Sequence, residues 1–176
     1  MSGHNKWSKI KNKKAITDAR KSKVFGKIVR LIEVEAKKSG GDKTAPNLKA
    51  AIEKAREFNV PNDNVEKAIK KAASSQTSGM EPITYEAYGP GGCALIIETL
   101  TDNRNKTSAE IKHILSKNGY SLAGMGAATW AFRKTNSGWE PENSIEISAD
   151  NGEKLQKLLD EFEDHDDVQE VYTNAA

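Results

Sequence analysis

One cysteine in 176 residues excludes an internal disulfide, which suits a reducing compartment. Long apolar runs are missing too. The longest is Cys93-Ala94-Leu95-Ile96-Ile97, far short of the roughly 20 residues a membrane helix needs. The N-terminus has no apolar h-region, so no secretory signal is expected. It holds no acid before Asp18, as a mitochondrial presequence would, but its cations are lysines rather than arginines. His4, His113 and His165 have no partner at ligand spacing, and the acidic cluster Asp160, Glu161, Glu163, Asp164, Asp166 and Asp167 lacks the glycine pattern of a calcium loop. That cluster is expected to be a solvated face. No Ser-His-Asp order or nucleophile elbow occurs. Gly89-Pro90-Gly91-Gly92 lacks the spacing and the lysine of a phosphate-cradling loop. These absences predict a cytoplasmic protein that is not an enzyme and uses no metal or cofactor.

Charge is abundant at 30%, against 36% apolar residues, so part of the chain is expected outside any core. The formal net charge of +2 hides a lopsided distribution. Residues 1–75 carry 19 Lys+Arg against 8 Asp+Glu, and residues 76–176 carry 8 against 17. Such asymmetry predicts a polyanion-binding half joined to an acidic half that meets a protein.

Residues 1–15 show no helical or strand period, and five lysines with only Trp7 and Ile10 between them predict an arm that is mobile when free. From Ile16 to Lys38 apolar residues recur at helical spacing on Phe25, Ile28, Val29, Ile32 and Ala36, and Gly40-Gly41 stops the helix. A second helix follows Pro46 and ends before Val60-Pro61. A third begins at Asn62-Asp63, with Asp63 and Glu66 spaced as a capping box. Residues 16–73 therefore read as a three-helix bundle, 74–80 as a linker and 81–176 as an α+β domain. There Ile83–Tyr88 and Cys93–Thr99 are joined by the Gly89–Gly92 turn as a hairpin. Thr107 and Glu110 are spaced as a capping box for a helix with Ile111, Ile114 and Leu115 inward. Strands are expected at Thr129–Arg133, Ser144–Ser148 and Val168–Thr173, with a helix on Leu155, Leu158, Leu159 and Phe162 before the last. The order β-β-α-β-β-α-β suits helices on one face of a mostly antiparallel sheet, ferredoxin-like with an extra N-terminal strand.

The cations carry the only strong chemistry. Lys6, Lys9, Lys11, Lys13, Lys14, Arg20, Lys21, Lys23, Lys27 and Arg30 stand in the first thirty residues against Asp18 alone. Such density binds phosphates through counterion release, and Trp7 offers a face for an unpaired base. The plainer alternative is a solvated basic tail whose Trp7 packs on the bundle. Membrane binding is disfavoured because the arm has too few apolar residues to insert. In Thr101–Thr107, Arg104 and Lys106 precede a helix N-terminus, which favours an anion; the equal alternative is a polar loop in which Asn103 and Asn105 bond their own backbone. Cys93 lies in an apolar strand and is expected in the core.

Five ordered strings carry a family resemblance: Ser2-Gly3-His4-Asn5-Lys6-Trp7 with Ile10-Lys11 and Lys14-Ala15; Asn59-Val60-Pro61-Asn62-Asp63-Asn64-Val65 with Ala68-Ile69-Lys70-Lys71; Tyr88–Gly92; Thr101–Thr107; and Asp166–Tyr172. Together they resemble the YebC/PmpR family, which includes the mitochondrial translational activator of cytochrome oxidase subunit I. The resemblance implies a helical N-terminal domain, an α/β second domain and no enzymatic activity. It further implies DNA-binding transcriptional regulation, or action on translation at the ribosome. The opening motif starts at residue 2, which leaves no room for an organelle presequence and favours a bacterial cytoplasmic protein. Typical members are longer, with a third domain inserted into the second. Here Phe132-Arg133-Lys134 runs through a short 136–143 stretch into the returning strand, so the inserted domain is expected to be missing or reduced to a turn.

The expected function is a regulator of gene expression that grips nucleic acid with its first thirty residues, with Arg104 and Lys106 as a second contact. Phosphate contacts dominate that picture, so affinity should exceed sequence specificity. No helix-turn-helix with base-reading side chains is evident, and a lysine arm with an aromatic suits irregular or single-stranded RNA at least as well as duplex DNA. Duplex DNA and ribosomal RNA, with the ribosome itself, both stand as partners. A protein-interaction adaptor, docking through the acidic domain, is the rival of another class.

Overall fold

The computed structural model describes residues 18–74, 79–136 and 138–176. They form two compact units, one of residues up to Glu81 together with Leu100–Asp102, the other of Pro82–Thr99 and Asn103–Ala176.

In the first unit α1 (Asp18–Ser39), α2 (Pro46–Glu57) and α3 (Asn62–Ala73) enclose one core. Ile28, Ile32 and Ala36 of α1 meet Leu48, Ala51 and Ala55 of α2 and Val65, Ala68, Ile69 and Ala72 of α3. Five of these are alanines, and small contact residues shorten the distance between helix axes. Helix α1 ends where Gly40 turns to φ 62°, and the Gly41 N–H reaches back to Ala36 O at 2.8 Å. That satisfies a carbonyl the helix end would leave unpaired. The expected capping box of α3 does not form. Pro61 holds the N-cap position without a side-chain bond, and Asp63 falls inside the first turn. Glu66 instead accepts from Lys43 at 2.7 Å. A tertiary ion pair has taken the side chain that local spacing assigned to the cap.

The second unit is α+β with a mostly antiparallel sheet, as the pattern predicts. Strands β1 (Glu81–Tyr88), β2 (Ala94–Thr101), β3 (Leu122–Ala123) and β6 (Val168–Thr173) form one sheet in the order β3-β1-β2-β6. Between β1 and β2 the Gly92 N–H closes on Gly89 O at 3.0 Å, and Gly91 adopts φ 70°, as the Pro-Gly pair requires. Helices α4 (Arg104–Lys117) and α5 (Ala149–Glu163) lie on one face, where Ile111, Leu115, Leu155, Leu158 and Phe162 bury Leu95 and Ile97. The alternate residues Ala94 and Ile96 are buried on the other face by Ala128, Ala131 and Phe132, with Trp139 and Tyr172 packed alongside. Burial of both faces explains why β2 is a continuous apolar run rather than an alternating one.

Three expectations are corrected here. The strand expected at Thr129–Arg133 begins only at Phe132, after a 3-10 turn over Thr129–Ala131. Its partner is not Ser144–Ser148. β4 (Phe132–Thr135) pairs with β5 (Gly138–Pro141) in a separate hairpin, Thr135 opposite Gly138. Ile145 makes only a parallel bridge to Ala175, and Ser148 already caps α5 by accepting the Asn151 N–H. Helix α4 starts at Arg104 rather than after Thr107. Asn103 is its N-cap, and Thr107 is buried, donating to Asp167 Oδ2 at 2.8 Å.

Candidate nucleic-acid interface

Lys6, Trp7, Lys9, Lys11, Lys13 and Lys14 lie outside the described residues, as does 1–15 as a whole. The cations of α1 are described. Arg20, Lys23, Lys27 and Arg30 are spaced by three, four and three residues. At about 100° per residue that spacing places them on one stripe, roughly opposite the apolar stripe of Phe25, Ile28, Val29, Ile32 and Ala36. Lys21 lies off it, exposed and 3.7 Å from Asp18, an exposed pair worth little. Lys23 is exposed, while Arg20, Lys27 and Arg30 are half-buried. Lys23, Lys27 and Arg30 already make polar or electrostatic contacts within the chain. Long cationic side chains can lay their stems on the protein and keep their heads toward solvent.

The acids of α1 beyond Arg30 do not offset this stripe. Glu33 accepts from Lys71 and Glu35 from Lys38, each at 2.9 Å. Glu33 is thus matched by Lys71 of α3, and Glu35 by Lys38, which falls on the same side of α1 as the stripe. Lys67 and Lys70 add exposed charge on α3, outside the dense run of cations in the first thirty residues.

Arg104 and Lys106 fall in the first turn of α4 rather than before it. Both are exposed. The Lys106 N–H donates to Asn103 Oδ1 at 3.1 Å, Lys106 Nζ stands 4.0 Å from Glu110, and Arg104 also makes a contact within the chain. Asn103 thus does bond its neighbouring backbone, as the polar-loop alternative has it.

His165 corrects an expectation. Its Nε2 lies 2.7 Å from Glu110 Oε2 on α4, and its Nδ1 accepts the Asp167 N–H at 3.1 Å. An N–H aimed at Nδ1 makes that nitrogen the acceptor, so Nε2 carries the proton and donates to Glu110. Fifty-five residues separate the two in sequence, so no local spacing could reveal the pair. Glu110, His165 and Asp167 offer ligand atoms within 4.8 Å of one another, close enough to share a cation. An ion there would have to displace His165 from Glu110 and compete with Lys106. The groups satisfy one another, fastening α4 to the turn before β6. Glu161, in the cluster expected to be solvated, also ties helices together. It accepts from Lys117 at 2.7 Å and from Asn118. Burial alone would raise its carboxyl pKa, but those two bonds and the lysine's charge outweigh it and hold the group below its ordinary value. Cys93 is buried as expected, and burial pushes its thiol up, away from reactive thiolate chemistry. Among the described residues no helix is long and apolar enough to cross a membrane.

Comparison with known proteins places these elements. The family model described as the TACO1/YebC protein N-terminal domain matches residues 5–75, and that of the TACO1/YebC second and third domain matches residues 80–137 and 134–175. A probable transcriptional regulatory protein of Fervidobacterium nodosum is 38% identical over 235 residues, covering 99% of this chain and 93% of its own length. One of the same description from Pelodictyon phaeoclathratiforme is 37% identical, with 99% and 95% covered. A crystal structure of a conserved hypothetical protein from Aquifex aeolicus superposes with a TM-score of 0.79 at 27% identity, over 90% of this chain and 91% of that one. The Fervidobacterium alignment is longer than this chain by 235 minus 176, so at least 59 of its positions have no residue here. The second-and-third-domain match breaks and resumes at 134–137, the turn between β4 and β5. Matches over nearly the whole length in two ordered blocks make this chain a member of the TACO1/YebC family, one that is shorter than these relatives at that turn.

Proposed function

We propose that this chain is a non-enzymatic, cytoplasmic regulator of gene expression that binds nucleic acid through residues 1–15 and the cationic stripe of α1. The observation that carries the reading is the charge division, 19 cations to 8 acids in residues 1–75, with Arg20, Lys23, Lys27 and Arg30 along one side of a helix. The relatives' description as probable transcriptional regulatory proteins supports duplex DNA as the target. A ribosomal RNA target, with action on translation, is the second reading. It is favoured by Trp7 among lysines, since stacking on unpaired bases serves single strands and loops better than a closed duplex. Arg104 and Lys106 are proposed as auxiliary contacts.

The test is competition between duplex DNA and ribosomal RNA for the full chain at fixed salt, repeated across salt concentrations. Neutralising Lys9, Lys11, Lys13 and Lys14 should reduce the slope of log affinity against log salt by about 0.9 per lost contact on duplex DNA. Neutralising Lys23 and Lys27 should reduce it further. An unchanged slope in both variants refutes nucleic-acid binding by this segment and leaves the adaptor reading. A strong preference for a defined promoter duplex refutes the ribosomal one.

A further inference from the structure

Among the described residues three large apolar side chains are exposed, Tyr88, Met125 and Trp130. They fall together. The Trp130 indole N–H donates to the Tyr88 hydroxyl at 2.8 Å. That hydroxyl in turn donates to Ala127 O, in the loop that carries Met125. The loop is firmly held. Glu86 on β1, the one buried charged side chain among the described residues, accepts the Ala128 N–H at 3.1 Å, the Thr129 N–H at 2.8 Å and the Gly126 N–H. Burying a carboxylate is costly without such compensation. Gly124, Met125 and Gly126 are all exposed, so fixing them contributes little to the core. The same carboxylate also seats Ala128 in the core, so the exposed tip stands on a fixed base.

We propose that Tyr88, Met125 and Trp130 form a docking surface for a protein segment that presents an aliphatic side chain flanked by lysine or arginine. Trp, Tyr and Met are enriched at the centres of protein interfaces, and an unbranched thioether adapts to the shape placed against it. A preformed loop also loses little freedom on binding. Charge selects the partner. The Glu142 N–H donates to Ala131 O, beside Trp130, and the Glu140 and Glu142 side chains are exposed. Arg133 pairs with Glu140 at 2.8 Å and Lys134 stands over the Trp139 ring, so on the Arg133 face of the hairpin two carboxylates meet one cation. The excess of 17 acids over 8 cations in residues 76–176 extends that field. Polyanions are repelled by it and basic segments attracted. This surface does not depend on the nucleic-acid reading.

The test uses the full chain and a fluorescein-labelled peptide of lysines around a central leucine pair, with two controls. One is the same peptide with serines for the leucines; the other is a single-stranded RNA oligomer. Anisotropy titrations should show the leucine peptide binding about tenfold more tightly than the serine peptide. Trp130→Ala and Met125→Ser should each remove about that factor, and Glu142→Gln should weaken both peptides about threefold. Met125→Ser guards against a folding artefact, because its side chain is fully exposed. Equal binding of the two peptides overturns the proposal, as does an unaffected Met125→Ser variant. So do Trp130 or Met125 variants that lose the RNA oligomer while keeping the peptide, an outcome that would assign the surface to nucleic acid.

Discussion

Replacing Glu86 with glutamine is a test of how the 124–130 loop is held. The carboxylate receives three backbone N–H groups, two on Oε1 and the Gly126 N–H on Oε2. Glutamine has nearly the same shape but only one acceptor oxygen. With that oxygen at Oε1, its NH2 faces the Gly126 N–H, donor against donor. One charge-assisted bond is lost, worth about 1.5–3 kcal/mol, and a donor is left unpaired. Against this, a neutral amide costs less to bury than a carboxylate. The balance is a destabilisation of about 2 kcal/mol, on the order of 4–8 °C in Tm for a chain of this size. Urea unfolding followed by near-UV signal measures it. Hydrogen exchange at Gly126, Ala128 and Thr129 shows whether the loss appears as local opening of the loop or as global unfolding. A destabilisation below about 0.5 kcal/mol with unchanged exchange at those amides would refute the argument that Glu86 fixes the loop.

Three other substitutions probe backbone and charge. At Gly138, φ is 129° and an added Cβ would clash with the Tyr172 hydroxyl and ring. Gly138→Ala should therefore cost about 2–4 kcal/mol in chemical denaturation. Gly40→Ala, also left-handed but facing open space, should cost only about 1 kcal/mol. Lys117→Met should cost less than about 1 kcal/mol at neutral pH. Because the folded Glu161 carboxyl is held below its ordinary value, its contribution is fully present above the unfolded value of about 4.3 and is lost as pH falls through the folded value. The gap between wild type and variant should close over that acid range, and a gap that persists below about pH 2 would contradict the assignment.

Helices and their inward residues were legible because a buried stripe leaves a period in the sequence. Ile28, Ile32 and Ala36, or Leu155, Leu158 and Phe162, announce themselves this way. The capping boxes were misleading. The S/T/D-x-x-E spacing at Asp63–Glu66 and Thr107–Glu110 is a local signal, and distant partners overrode it. Lys43 claims Glu66, Asp167 engages Thr107, and His165 claims Glu110. Strand β5 was missed because Gly138-Trp139-Glu140-Pro141 has a glycine and a proline at its ends, both poor strand formers. Pairing with β4 and packing of Trp139 against the sheet supply what propensity does not. Of the candidate interface, the α1 cations were legible as charge density, while their division into a stripe that leaves out Lys21 needed the helix itself. The nest of amides around Glu86 left no trace in sequence, since its donors are backbone groups some forty residues away.

The turn between β4 and β5, where longer relatives diverge, takes no part in the pairing of the four-stranded sheet. All of that sheet's strands are drawn from before β4 or after β5. Opposed residues of an antiparallel pair sit about 5 Å apart, so Thr135 and Gly138 present two chain ends close enough to receive or release a whole module without changing a strand of the main sheet, provided Gly138 keeps its place against Tyr172. Evolution can therefore edit this family's length at a cosmetic seam. A laboratory can use the same seam to graft a reporter or to restore the relatives' segment.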